Sequence, residues 1–319
     1  MTTSPANSQP IPGPLSEAHG SARPGQSPAS QFLDRGFRLE QAGTATRAAE
    51  AYRHALTLDP TPAEAAEGHL RLSRALRSLA QWDEAVEEAR EAERRGRQIG
   101  DEDLAAEALN AEAGVHLMRG DYDVAESLAR CALIDAQSAR VRGITLQNLG
   151  YTAAARKEYG RAKDYFADSL RSFRESGYEL GIAVALNNAA AMARDMGDAR
   201  LGLELSRESA TICRRLNALN VLLAAVQNQA RALVQLGSFD EAEGLLTEAL
   251  GHFTSAKNII EQAACLESLG DLSAARRGDT QTALRCYQRA LDLAATAQDR
   301  ALSERLQERV NSLRSGDSA

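Results

Sequence analysis

Lysine and aromatic side chains are scarce in this chain, and long apolar runs are missing altogether. Only three of its 37 basic residues are lysine, and Phe, Trp and Tyr together make up 4% of the 319 residues. No run of 18 apolar residues occurs, so we expect no membrane-spanning helix. With so few aromatic rings, a core has to be built mainly from small aliphatic side chains, which suits closely packed helices.

Signals for catalysis, metal binding and secretion are also missing. The five histidines are scattered, none pairs with another at i and i+4, and no Cys-x2-Cys motif occurs, so we expect no metal and no other cofactor. Phosphate-binding glycine loops and nucleophile elbows do not occur either, so no residue is assigned to catalysis. The first residues lack a basic and then apolar leader. A non-enzymatic, cytoplasmic protein with reduced cysteines is therefore predicted.

The charge balance argues against nucleic acid as the partner. The formal net charge is −7 and the pI is about 5.4. Proteins that bind nucleic acids neutralise phosphates with a basic surface, which an acidic chain does not readily supply. We therefore expect a protein or peptide partner, with no nucleic acid and no membrane involved.

Proline is concentrated at the start of the chain. Six of the eight prolines fall between Met1 and Ala29, where Ser, Gly, Ala and Gln fill much of the rest. Such a segment buries too little apolar surface to offset the entropy of ordering it. Residues 1–29 are therefore predicted to be a disordered tail, either a docking segment or a leader without function. Deleting residues 1–28 is expected to leave the melting transition nearly unchanged.

What the chain does have is a helical period that recurs along most of its length. Leu146, Leu149 and Gly150 lie on one face of a predicted helix, and Ala162 and Phe166 follow at a spacing of four in the next. Neither helix can bury its apolar stripe alone. Two antiparallel helices can, and further copies of the pair would extend the buried seam.

The small residue that opens the second helix of each pair recurs at nearly regular intervals along the chain. These positions are Ala48, Ala85, Ala125, Ala162, Gly202, Ala242 and Ala283. Seven helix pairs are therefore predicted over residues 30–297. A more polar amphipathic helix at 298–314 is expected to cap the last pair, with a frayed end at 315–319.

The order Leu-x2-Leu-Gly-x2-Tyr or Ala, followed by an Ala and by an aromatic four residues later, resembles the tetratricopeptide repeat. That repeat has a period of about 34 residues. The longer spacing here is similar to that of MalT-type regulators, peptide-sensing Rap-type proteins and kinesin light chains. The resemblance implies an all-α, right-handed superhelix, a solenoid in which the first helices of the pairs line a concave groove.

One row of amides is not explained by core packing. Asn148, Asn188 and Asn228 recur at a constant interval in the first helices, and each follows another amide. The resemblance places the row inside the groove, where amides supply both donors and acceptors to an extended peptide backbone. The same side chains are also suited to tying neighbouring helices together, and the two roles are compatible.

Cationic and aromatic residues lie about one turn further along the same helix faces. The predicted peptide-binding set is Asn110, Gln147, Asn148, Tyr151, Asn187, Asn188, Arg194, Gln227, Asn228, Arg231 and Arg74. Its arginines are expected to favour an acidic ligand. In the last pair the corresponding positions are the acids Glu267 and Asp271, so we expect the charge of the groove to vary along its length.

These patterns predict a protein-interaction scaffold that binds an extended peptide or a disordered protein segment. Two alternatives remain open at this stage. The chain is also consistent with a peptide- or ligand-sensing regulatory module that acts on a separate effector protein, and with a self-associating structural array. The sequence identifies neither the ligand nor the pathway.

Overall fold

A computed structural model of the protein describes residues 26–41, 44–255, 258–276, 279–297 and 300–315. Every regular element in these residues is an α-helix, and they contain no β-strand. Within these ranges fifteen helices follow one another, as seven antiparallel pairs and a final single helix. The predicted all-α fold of seven helix pairs with a C-terminal helix is therefore confirmed. Most of the predicted tail, residues 1–25, and most of the predicted frayed end, residues 316–319, lie outside the described residues.

Backbone contacts divide the chain into two units, residues 1–95 and 96–319. Unit 1 contains α1 (Pro28–Gln41), α2 (Ala45–Leu56), α3 (Pro62–Ser78) and most of α4 (Trp82–Ile99). Unit 2 begins inside α4 and continues with α5 (Glu102–Arg119), α6 (Tyr122–Asp135), α7 (Ala139–Ala155), α8 (Tyr159–Ser176), α9 (Glu179–Asp195), α10 (Ala199–Leu216), α11 (Leu219–Gln235), α12 (Phe239–Ser255), α13 (Ile259–Ala275), α14 (Thr280–Thr296) and α15 (Arg300–Ser315).

The first helix begins at Pro28, two residues before the predicted start of the array. Ser27 occupies the N-cap position, where its Oγ accepts a hydrogen bond from the backbone N–H of Ser30 at 2.9 Å. The same hydroxyl donates to the carboxylate of Glu64, which in turn forms a capping box with Thr61 at the start of α3. The deletion expected to leave the fold intact should therefore end at residue 25 and not at 28.

Replacing Ser27 with Ala is expected to lower the stability of unit 1 by about 1 kcal/mol, the usual contribution of an N-cap side chain. The hydrogen bond from Ser27 also holds the pKa of the Glu64 carboxyl below its usual range. Such a carboxylate stabilises the fold above its unfolded pKa, and the contribution is lost as the pH falls through the folded value. The cost of S27A should therefore be smaller at about pH 3 than at neutral pH.

Thermal melts of S27A and S30A at both pH values test this cap. Ser30→Ala is the matched control because it keeps the backbone donor and removes only a hydroxyl. Equal melting temperatures for the two variants at neutral pH would show that the Ser27 side chain contributes nothing.

In unit 2 the odd-numbered helices form one layer and the even-numbered helices form the other. From α7 onwards, each odd-numbered helix packs against its even-numbered neighbours in the chain. From α5 through α13, each odd-numbered helix also contacts the next one of its own layer. Residues at the same position of successive repeats are therefore brought side by side, and the regular intervals of the sequence become spatial rows.

Several buried aromatic rings of unit 2 lie against glycines in the odd-numbered helices. A Cβ atom added at Gly150 would lie 2.5 Å from Cε1 of Phe166, and one added at Gly270 would lie 2.4 Å from Cε1 of Tyr287. The rings can therefore lie directly on the backbone of the facing helix, which explains why glycine and the aromatic residue recur together in the repeat.

Some turns between helices contain a Gly-Asp pair in which the glycine has a positive φ angle and the aspartate caps the next helix. Gly100 and Gly197 have positive φ angles of 73° and 92°, and the following Asp101 and Asp198 accept hydrogen bonds from the first turns of the next helices. Asp121 differs, because its carboxylate lies 3.2 Å from Nδ1 of His116 and makes no cap bond.

The even-numbered helices of unit 2 are linked through ion pairs of long side chains. These pairs are Arg97 with Asp135, Arg161 with Glu126, Arg174 with Glu208 and Arg207 with Glu241, at N to O distances between 2.7 and 3.3 Å. The four arginine side chains are about half exposed, whereas Asp135 and Glu126 are only 21% and 16% exposed. The two pairs in which both side chains are exposed, Arg174 with Glu208 and Arg207 with Glu241, each contribute little to stability and are screened by salt.

Candidate functional site

The amide row begins between α5 and α7. Nδ2 of Asn110 donates to Oγ1 of Thr145 at 2.7 Å. Nδ2 of Asn148 lies 3.3 Å from both the backbone oxygen and the side-chain Oδ1 of Asn110, and it donates to them. Asn110 is only 3% exposed, so its side chain makes its hydrogen bonds inside the protein. Asn148 is half-buried and keeps one edge open to solvent.

Tyr151 joins α7 to α9. Its hydroxyl accepts a hydrogen bond from Nε2 of Gln147 at 3.1 Å and one from Nδ2 of Asn188 at 2.9 Å. The ring of Tyr151 packs edge-on against Phe166, with the ring centroids 5.5 Å apart. The phenol is therefore held in position between two amides, while all three polar side chains remain half-exposed.

The same pattern continues between α9 and α11. Nδ2 of Asn187 donates to the backbone oxygen of Val221, and Nδ2 of Asn228 donates to the backbone oxygen of Asn187, both at 3.2 Å. Oδ1 of Asn228 accepts from Nη1 of Arg194 at 3.2 Å. Asn187 is 5% exposed, and its Oδ1 has no hydrogen-bond partner among the described residues. We therefore assign Asn110 and Asn187 to holding helices together.

Polar contacts between odd-numbered helices continue from α11 to α13 and from α13 to α15. Nε2 of Gln227 donates to Oγ of Ser268 at 3.0 Å. Glu267 is 9% exposed and accepts two hydrogen bonds of 2.8 Å from Arg305 of α15. The acid that was expected to vary the charge of the groove is therefore neutralised by the last helix.

Asp271, the second acid of α13, is also engaged. Its Oδ1 accepts a hydrogen bond from the hydroxyl of Tyr287 at 2.7 Å, and Nε of Arg309 lies 3.7 Å from it. Burial and the Asp271 carboxylate both raise the pKa of Tyr287, so the phenol stays protonated and keeps donating. The end of the row therefore carries less free negative charge than the sequence predicted.

A cavity of about 420 Å³ opens between α9, α11 and α13. It is lined by Arg194, Gln227, Ala230, Arg231, Val234, Gln235, Leu246, Ser268, Asp271, Leu272 and Ala275. Three of the predicted binding residues, Arg194, Gln227 and Arg231, therefore meet in one place. Ser268 was missed in the sequence, although it follows Asn228 by the same interval that separates Asn228 from Asn188.

The two arginines that line this cavity differ in how far neighbouring acids compensate their charge. Arg194 is bound by Asp195 at 2.7 Å, and its side chain is only 13% exposed. Arg231 is exposed and forms no hydrogen bond or ion pair with any residue that the structure describes. With Asp271 held by its own partners, Arg231 presents the least compensated charge among the described residues of the site.

Arg74, the remaining predicted residue, belongs to unit 1 and lies half-buried in α3. Its neighbour Arg71 is placed over the ring of Phe37, 5.1 Å from the centroid, and bonds Glu67. Burial, with the nearby charge of Arg74, lowers the pKa of the Arg77 guanidinium. These three arginines all belong to α3 of unit 1.

Within the described ranges, no group of His, Cys, Asp or Glu side chains is arranged to hold a metal ion. None of the helices in that part of the chain combines the length and apolar character needed to cross a bilayer.

Comparison with known proteins identifies solved structures of similar fold. Neither a family model nor a curated protein matches the chain. The apo form of RapI is 15% identical, with a TM-score of 0.58 over 85% of this chain and 98% of that one. A Rap protein complexed with Competence and Sporulation Factor is 11% identical, with a TM-score of 0.55 over 90% and 98%.

A third similar structure is a tetratricopeptide repeat protein from Parabacteroides merdae. It is 13% identical to this chain, with a TM-score of 0.53 over 88% of this chain and 97% of that one. At such identities the similarity concerns the fold alone.

Proposed function

We propose that this chain, an all-α protein of the tetratricopeptide-repeat type, is a non-enzymatic interaction module that binds an extended segment of another polypeptide along the odd-numbered layer of unit 2. The observation that carries this proposal is the cavity between α9, α11 and α13, with the exposed Arg231 at its edge. A cavity of about 420 Å³ falls in the range of ligand sites, roughly 300–1,000 Å³.

The amide row next to the cavity supports an extended ligand. Gln147, Asn148 and Gln227 are half-exposed residues, and their side-chain carbonyls accept no hydrogen bond from the described residues. The amide N–H group of Gln147 donates to Tyr151 in the same helix, and those of Asn148 and Gln227 donate to a neighbouring helix, so the carbonyl oxygens remain as acceptors for a ligand. The backbone N–H groups of an extended chain are spaced along it and can donate hydrogen bonds to such a row of acceptors.

The Rap structure among the comparisons is complexed with Competence and Sporulation Factor, so at least one protein of similar fold is found bound to a separate factor. For this chain, the ligand class rests on its own residues. Regulation of a separate effector and self-association are the outcomes against which the proposal is tested.

A library of displayed dodecapeptides, selected on the purified protein, tests the proposal directly. We expect an enriched set of peptides that loses at least about tenfold in affinity for Val234→Trp, because the indole fills the cavity. Val124→Trp is the matched control, since Val124 is an exposed residue of α6 that does not line the cavity.

Three results would count against this function. The first is that no peptide is enriched, and the second is that the enriched peptides bind the two Trp variants equally well. The third is that the protein associates only with copies of itself in sedimentation experiments. The last result would favour the self-associating array.

A further inference from the structure

We infer that the cavity between α9, α11 and α13 selects an acidic side chain that lies next to an aliphatic side chain in the bound segment, and that α15 maintains this preference. The inference rests on the proposed function, since it states what the same site recognises. It adds a sequence preference to the bound segment and a role for the last helix in setting it.

Arg231 supplies the attraction for an acid. Its guanidinium is exposed at the edge of the cavity and has no partner among the described residues. Arg194 adds a second guanidinium that is partly compensated by Asp195. A carboxylate brought to Arg231 can accept two parallel hydrogen bonds, whereas a ligand ammonium at the same place would be repelled by the guanidinium.

The acids of α13 do not cancel this attraction, because α15 neutralises them. Arg305 holds Glu267 through two hydrogen bonds, and Arg309 lies beside Asp271, which also accepts a hydrogen bond from Tyr287. Of these two acids, only Asp271 lines the cavity. The last helix therefore does more than cover an apolar face, since it also leaves the cavity with a net positive character.

An apolar wall beside Arg231 supplies the second half of the preference. Val234 lies one turn further along α11, while Leu246 and Leu272 reach the cavity from α12 and α13. Leu246 and Leu272 are only 1% and 6% exposed, so most of the apolar surface that water reaches at this wall belongs to Val234 and to Ala275 of α13. An aliphatic side chain placed there removes apolar surface from water on both sides.

The peptide library selected on wild type, R231E and R289E tests the inference. Arg289 is an exposed residue of α14 that does not line the cavity, so R289E makes the same charge change elsewhere. Wild type and R289E should both enrich Asp or Glu beside Leu, Ile or Val. R231E should lose acidic peptides by roughly tenfold to a hundredfold in affinity and should enrich Lys or Arg at that position.

A second variant isolates the contribution of α15. Arg309→Gln removes the cation beside Asp271 while Arg305 keeps its bond to Glu267. We expect a smaller loss, about twofold to fivefold, in affinity for the acidic peptides, because the Asp271 charge is then less compensated. Raising the salt concentration should shrink the difference between R309Q and wild type.

The outcomes separate the inference from the function on which it rests. Enriched peptides without an acidic position, or an acidic preference that survives R231E, would overturn the inference and leave the interaction module standing. If wild type enriches no peptide at all, the proposed function fails and the inference fails with it.

Discussion

Removing residues 298–319 is expected to make the protein associate or precipitate. The deleted helix, α15, buries Leu302, Leu306 and Val310 against a cluster that includes Leu266 and Tyr287. Burying a side chain of this size contributes about 1.5–3 kcal/mol, so the three together contribute roughly 4–9 kcal/mol. Without α15, the apolar surface of α13 and α14 is left facing water.

The truncation also leaves a charge without its partner. Glu267 is nearly buried, and its carboxylate bonds Arg305 through both oxygens. Because the deletion also uncovers α13, the Glu267 carboxylate regains water, and the Arg305 side chain of the pair is already 55% exposed. We therefore expect loss of this pair to add only a small amount to the apolar contribution.

Thermal melts and sedimentation velocity measure this effect. Deleting only residues 316–319 is the matched control, because it shortens the chain and leaves α15 in place. Leu306→Asp is a point variant that should reproduce part of the effect without changing the length. A truncated protein that stays soluble, monomeric and equally stable would show that α15 does not cap the array.

The main expected effect of the triple variant N148A/N188A/N228A is a loss of thermal stability, ahead of any loss of ligand affinity. These amides bond to Asn110, Tyr151 and Asn187 across three successive contacts of the odd-numbered layer. A hydrogen bond contributes about 0.5–1.5 kcal/mol net, so the triple change should cost roughly 2–4 kcal/mol if the terms add. For a unit of this size the melting temperature should fall by roughly 4–16 °C.

The matched control replaces three exposed amides that lie outside the row, Gln281, Gln288 and Gln307, with Ala. It should melt within a degree or two of wild type, because surface substitutions in helices have small effects. If the two triple variants melt alike, the row does not hold the helices together.

Binding of a selected peptide then decides the second role of the row. Calorimetry on the folded Asn variant, well below its melting temperature, should show weaker affinity if the amides also contact the ligand backbone. Unchanged affinity in a folded variant would show that the row is not part of the binding site. The binding site would then consist of the cavity alone.

The helix pairs were predictable because their signal is local. Leu146, Leu149 and Ala162 show the helical period within a short stretch of chain, and burial of one helix face requires that period. The predicted start of α1 lies two residues late, although its signal is also local: Ser27 caps the helix through Ser30, and Pro28 occupies the first helical position. The proline-rich composition of the preceding residues outweighed this short signal.

The amide row was predictable in position, but which of its side chains bond to neighbouring helices was not. The constant interval between Asn148, Asn188 and Asn228 located the amide row, since equal positions of stacked repeats must meet. The spacing is the same whether an amide bonds a neighbouring helix or a ligand, so the buried Asn110 and Asn187 could not be told from their half-exposed neighbours. The partner of Glu267 lies in α15, outside the repeat pattern, and was missed for that reason.

The two layers of unit 2 are joined in different ways, and this gives the unit unequal mechanical properties. The odd-numbered helices are linked by hydrogen bonds of short, partly buried side chains, and the even-numbered helices by exposed ion pairs of long ones. Short links resist stretching, whereas long arginine side chains can extend by changing rotamer. Under tension or thermal bending, we therefore expect the even-numbered layer to be the more compliant side and the spacing of the amide row to change least.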